Sequence, residues 1–155
     1  MPEITTISTI LHSLAAVTWV GGMFFAYVIL RPSLGFLEPP QRLTLWSHVF
    51  KRFFFWVWLI IIILPITGYA QVMLDFGGFA NTGQHIDIMH ITGWLMIALF
   101  VYLYVGPYGR FRKCVATADW PAAAAQLNVI RRIVGTNTVL GVLTVAIGAS
   151  GRFWG

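Results

Sequence analysis

Four histidines, His12, His48, His85 and His90, carry most of the chemical potential of this chain. His12 and His90 sit in long apolar runs, where an ionisable side chain is costly and so marks a functional site. His12 lies 19 residues before Arg31, and His90 lies 20 residues before Arg110. At about 1.5 Å of helical rise per residue, both imidazoles fall roughly 28–30 Å from the same basic boundary. Two imidazoles at matching depth on different helices suit a bis-histidine haem b, whose iron takes axial nitrogens from opposite sides in a bundle core.

A flat macrocycle needs small neighbours. Asn137, Gly141, Thr144 and Gly148 recur on one helical stripe, and Gly93 stands close to His90. Ala16 lies one turn from His12, with Gly21-Gly22 deeper in the same run. Arg152 or His85 would pair with the haem propionates, because little other positive charge lies at that end. The same stripe has a simpler reading, since small residues are also how membrane helices approach closely.

A second chemistry uses nearly the same residues. His85-Ile-Asp87-Ile-Met89-His90 gathers two imidazoles, a carboxylate and a thioether within six positions. Imidazole suits copper and thioether favours Cu(I), so His12, His85, Met89 and His90 form an alternative metal set. Met96 follows Met89 by seven residues on the same face, and Met23 follows His12 by eleven. These methionines mark a path inward or fill gaps in the core. The third reading is a structural subunit whose histidines are interfacial. His48 stands apart from the other three.

The elements that must position these residues follow from composition. Of 155 residues, 58% are apolar and only 10% charged, with a mean hydropathy of +0.78. Soluble domains carry about 25% charge, so a water-soluble enzyme and a disordered tail are excluded. Four stretches free of Asp, Glu, Lys and Arg reach the roughly 20 residues a bilayer demands. They cover about 4–30, 53–74, 88–109 and 133–151. The fold expected is an all-α integral membrane protein, a single four-transmembrane-helix bundle spanning 1–155. The net charge of +5 reflects orientation rather than nucleic-acid binding: nine of the ten basic residues fall in 31–52 and 110–132. The positive-inside rule makes those two segments cytoplasmic loops and puts both termini on the periplasmic side.

Pro39-Pro40 reads as a helix start leading into the second span, and Trp120-Pro121 as an interfacial helix leading into the fourth. Pro65 is expected to kink the second span, with Thr67 or water repairing the lost hydrogen bond. Trp46, Trp56, Trp58, Trp120 and Trp154 suit aromatic belts. The first residues lack a basic n-region and the following apolar run is too long for a leader, so no cleavage is expected. The single cysteine, Cys114, excludes a disulfide framework and a Cys-based cluster within one chain. No Ser–His–Asp set, phosphate-cradling glycine loop or paired intramembrane carboxylates occur, which argues against hydrolysis, phosphoryl transfer and acidic proton relays.

Leu11-His12-Ser-Leu-Ala-Ala-Val-Thr-Trp19-Val-Gly21-Gly22-Met23-Phe, closing in Leu30-Arg31-Pro32, resembles the first helix of CopD-like bacterial inner-membrane proteins. Phe53-Phe-Phe-Trp-Val-Trp, Thr67-Gly68-Tyr69 and Ile130-Arg131-Arg132 resemble the small free-standing branch of that group. The resemblance implies copper uptake or tolerance, with metal acquired on the periplasmic side and His12 as a ligand. The chain is more distantly similar to HemJ-like proteins, which also carry a first-span histidine and are tied to haem and porphyrinogen oxidation. Those rely on an intramembrane lysine, and no span here contains one.

The expectation from sequence is therefore a membrane b-type haem protein, bis-histidine ligated by His12 and His90 and engaged in electron transfer. The alternative is a copper-binding or copper-passing protein using the same His/Met cluster. Besides the bilayer, the haem reading calls for a redox partner or quinone, or a homodimer to carry electrons across the membrane.

Overall fold

The computed structural model describes residues 2–153; Trp154 and the side chain of Arg152 lie outside the described residues. Four helices are long and apolar enough to cross a membrane: α1 (Glu3–Ser33), α2 (Pro39–Asp75), α3 (Gln84–Ala116) and α4 (Trp120–Ser150). Among the described residues there is no strand. The chain is an all-α, multi-pass membrane protein.

The two basic segments are helical rather than looped. Glu38 is extended, and Pro39 and Pro40 then open α2, which runs 37 residues without a break, through Pro65. Proline is suited to a first turn because its missing N–H had no partner there. Asp119 starts α4 by accepting a hydrogen bond from the Ala122 N–H at 3.1 Å, again with a proline in the first turn. At about 1.5 Å per residue α2 is roughly 55 Å long. A hydrocarbon core is about 30 Å thick, so α2 overshoots it, and its overshoot carries Arg42, Lys51 and Arg52. The turns at this basic end are correspondingly short, 34–38 and 117–119. The α2–α3 turn lies at the opposite end, where Gly77 and Gly78 adopt φ of +68° and +125°, a backbone that disfavours a side chain.

Two of the helices contain a wide π-helical turn near the basic end, Phe25–Leu30 in α1 and Tyr104–Tyr108 in α3. The exterior is lined by apolar side chains such as Ile7, Val17, Ile66, Ile91 and Val139, as a lipid-facing surface requires.

The helices pack unevenly. Backbones approach closely between α1 and α2, between α3 and α4, and between α1 and α4. Between α2 and α3 the contact is instead aromatic. Trp46, Phe50 and Phe54 stack at one-turn intervals along α2, with centroids 5.1 Å apart. Phe100, Tyr104, Tyr108 and Phe111 of α3 meet this column mostly edge to face, the offset that ring quadrupoles favour. Trp46 is thus buried in the core rather than set in an interfacial belt, whereas Trp56 is exposed to the lipid side.

Candidate metal-handling end of the bundle

The end opposite the basic residues holds three of the four histidines, and the structure assigns them to different places. His12 packs against α2. Its Nδ1 lies 2.9 Å from the Thr67 hydroxyl, and its ring covers Gly68, where a Cβ would come within 3.2 Å of it. The Thr67 hydroxyl is 2.7 Å from the Ile63 carbonyl one turn back, to which it donates its single hydrogen. With that hydrogen given to the carbonyl the hydroxyl is left to accept, an arrangement that favours the His12 tautomer protonated on Nδ1. Ser8 of α1 donates to the Thr67 carbonyl, which also accepts from Gln71 within α2, so Thr67 anchors α1 through both Ser8 and His12.

His90 meets α2 too, but through Tyr69. The Trp94 indole donates to the Tyr69 hydroxyl at 3.3 Å, and that hydroxyl lies 3.4 Å from His90 Nε2. Tyr69 and Phe79 place their rings 5.4 and 5.2 Å from the imidazole, edge-on, and Trp94 closes a third side. His90 is therefore the centre of a small aromatic box.

Thr67 and Tyr69 are two residues apart, or about 3 Å along the axis and roughly 200° around it. The expected equality of depth between His12 and His90 holds. Their expected opposition across one gap does not: they engage different faces of the same helix. The arrangement gives no support to a haem b held between these two imidazoles.

The small-residue stripe of α4 serves another purpose. Gly141 lies against Val20 and Met96, Thr144 donates to the Thr92 hydroxyl at 2.8 Å, Gly148 faces the Met89 thioether, and Gly151 faces the His85 ring. On α3 these partners are His85, Met89, Thr92 and Met96, a spacing of four, three and four that keeps one face toward α4. Asn137 ends the run by donating to the Met96 carbonyl at 3.1 Å, with its own Oδ1 buried and unpartnered. The stripe is thus a close helix seam filled by protein side chains, and its contacts give no support to a haem slot beside Asn137 and Gly141. Gly93 takes no part in it, having nothing within 4 Å of where a Cβ would stand.

The six-residue cluster therefore divides. His85 and Met89 share one face, one turn apart; Met89 rests on Gly148 of α4 and His85 on Gly151 just past its end. Asp87 turns to the Thr82 hydroxyl at 3.4 Å. His90 belongs to the aromatic box. Among the described residues no group of three or more His, Cys, Asp or Glu converges. His48 is exposed at the basic end.

The Thr67 contact allows a measurable check on His12's anchoring. Hydrogen bonds between membrane helices average about 0.6 kcal/mol. A double-mutant cycle of Thr67→Val and His12→Phe, read by unfolding in mixed micelles, is expected to give a coupling of about that size. Zero coupling would mean that His12 is held by packing alone.

A bundle of four spans with a histidine and methionine seam at one end defines a multi-pass membrane protein with soft donors at its edge. The family comparison agrees: the sequence model of CopD, copper resistance protein D, matches residues 47–150, and the chain belongs to that family. The matched segment takes in most of α2 and all of α3 and α4, and so includes His85, Met89 and His90 but not His12. No curated protein and no solved structure matches the chain.

Proposed function

We propose that this protein is a copper-handling membrane protein that takes Cu(I) as cargo at the end of the bundle opposite its basic residues. His85 and Met89 are the entry donors, and Met96 supplies the next sulfur along the same seam. The observation that carries the reading is the shared face of His85 and Met89, one turn apart and seated on Gly151 and Gly148. It lies within the segment matched to the copper resistance family. The donor set fits the metal: thioether selects Cu(I) over harder ions, and imidazole binds copper well. The concentration of positive charge at the other end supports an orientation with that end cytoplasmic, both termini outside, in a bacterial inner membrane. Copper would then arrive from the periplasmic side.

The experiment is an anaerobic titration of the purified full chain with Cu(I) against a chromophoric chelator, alongside an optical spectrum before and after dithionite. The expected outcome is one tightly held Cu(I) per chain and no Soret band from protein expressed with ample haem. A strong Soret band with sharp reduced α and β bands would replace the copper reading with a low-spin cytochrome. A chain that never competes for Cu(I) would remove it.

A further inference from the structure

The basic end contains a cavity of about 350 Å³ that the copper reading does not use. It is a half-open hollow between α1, α2 and α4. Arg31, Arg42 and Arg131, one from each helix, line it together with Tyr27, Asn128 and Trp46. Among the described residues no carboxylate lines it; Glu38, four residues before Arg42, stays outside. Three arginines lining one hollow favour an anion within it, and the planar fork of arginine matches phosphate oxygens.

The wall is built by the fold. Tyr27 lies in the wide turn of α1, its ring pressed on Gly135 of α4 and covered by the Arg31 guanidinium 5.3 Å away. Leu43 and Phe50 make the remainder of the lining apolar. Arg31 ends the first apolar run and Arg131 precedes the fourth, so the cavity sits at the level where lipid phosphates lie. Its volume is at the small end of ligand pockets and admits a headgroup rather than acyl chains. Exposed Phe25, Val28 and Ile29 on α1 offer the chains an apolar path outside it.

We propose that this cavity binds the phosphate headgroup of one anionic phospholipid, a structural lipid joining α1, α2 and α4. Basic pockets between membrane helices are suited to such headgroups, each arginine contributing about 1 kcal/mol, or roughly fivefold in affinity. The test is native mass spectrometry of the full chain in detergent, titrated with dioleoyl phosphatidylglycerol or dioleoyl phosphatidylcholine. One phosphatidylglycerol is expected to remain bound where phosphatidylcholine dissociates. Arg42→Gln with Arg131→Gln is expected to weaken that binding about thirtyfold. Arg52→Gln with Arg112→Gln, basic-end changes outside the cavity, is expected to alter it less than about threefold.

Equal weakening by both pairs would overturn the proposal in favour of diffuse charge attraction, as would equal retention of the two lipids by the unaltered chain. Glycerol 3-phosphate displacing phosphatidylglycerol at matched concentration would reassign the cavity to a soluble phosphate compound. If the double glutamine variant fails to fold, the comparison of the two lipids on the unaltered chain decides.

Discussion

Changing His85 to alanine and Met89 to leucine together is expected to lower Cu(I) affinity at least about a hundredfold while leaving the bundle intact. Outer-shell changes at metal sites already cost 10- to 100-fold, and this pair removes both proposed entry donors outright. Leucine nearly conserves methionine's volume, so the seam against Gly148 stays filled and folding is not the quantity altered. The measurement is the same chelator competition, with thermal unfolding as a control on integrity. His12→Ala and His90→Phe provide the contrast. His12 is paired with Thr67 and His90 with Tyr69 on other faces, so neither change is expected to shift Cu(I) affinity more than a few fold. Unchanged binding in the His85/Met89 variant, with loss in His12→Ala, would move the site to α1.

The second large effect concerns the seam. Gly141→Leu is expected to destabilise the bundle by about 3 kcal/mol, read by tryptophan fluorescence during unfolding in mixed micelles. A Cβ alone at this position would stand 2.8 Å from Val20 Cγ2 and 3.1 Å from Met96 Cε. Val20 is β-branched with a stiff χ1, so it cannot swing aside, and three helices meet there. Gly148→Ala is the informative comparison. Its new methyl would meet only the flexible Met89 thioether, which can move, and alanine favours a helix over glycine by about 1 kcal/mol. Gly148→Ala is therefore expected to be neutral within about 1 kcal/mol. A Gly141→Leu variant as stable as the parent would show that the seam is looser than its distances imply.

How much of this was legible in the sequence depends on the coordinate considered. Depth was, because residue counts fix position along a helix: His12 and His90 do meet α2 within about 3 Å of each other along its axis. Azimuth relative to neighbours was not. The spans are apolar all round, so no periodicity said which face of α3 met α4 or α2. The stripe from Asn137 to Gly148 was visible, but small residues accommodate a ring or a neighbouring helix equally well. Only Met89, Met96 and His85 lying on it decides for the helix. The short local signals were better guides: Pro39-Pro40 and Trp120-Pro121 start helices where they stand, the latter capped by Asp119. Within the basic stretches the helix starts were legible, but not that these helices run unbroken past the bilayer and leave turns of only a few residues. Thr67 or water is the sequence's candidate for repairing the bond lost at Pro65; the Thr67 hydroxyl binds the Ile63 carbonyl and meets His12.

The wide turns at Phe25–Leu30 and Tyr104–Tyr108 have a consequence for how tolerant the chain is of changes in length. A turn closed by i→i+5 bonds holds one residue more than its α-helical equivalent. Removing one residue there lets the turn relax to regular winding, with both flanking halves of the helix keeping their bearing. The same deletion a few turns earlier, at Ala15 or Ala16, rotates everything on one side of it by about 100° and takes His12 off Thr67 or Trp19 out of the core. Single-residue deletions in this chain are thus absorbed at the two wide turns and destructive in the regular winding between them and the histidines.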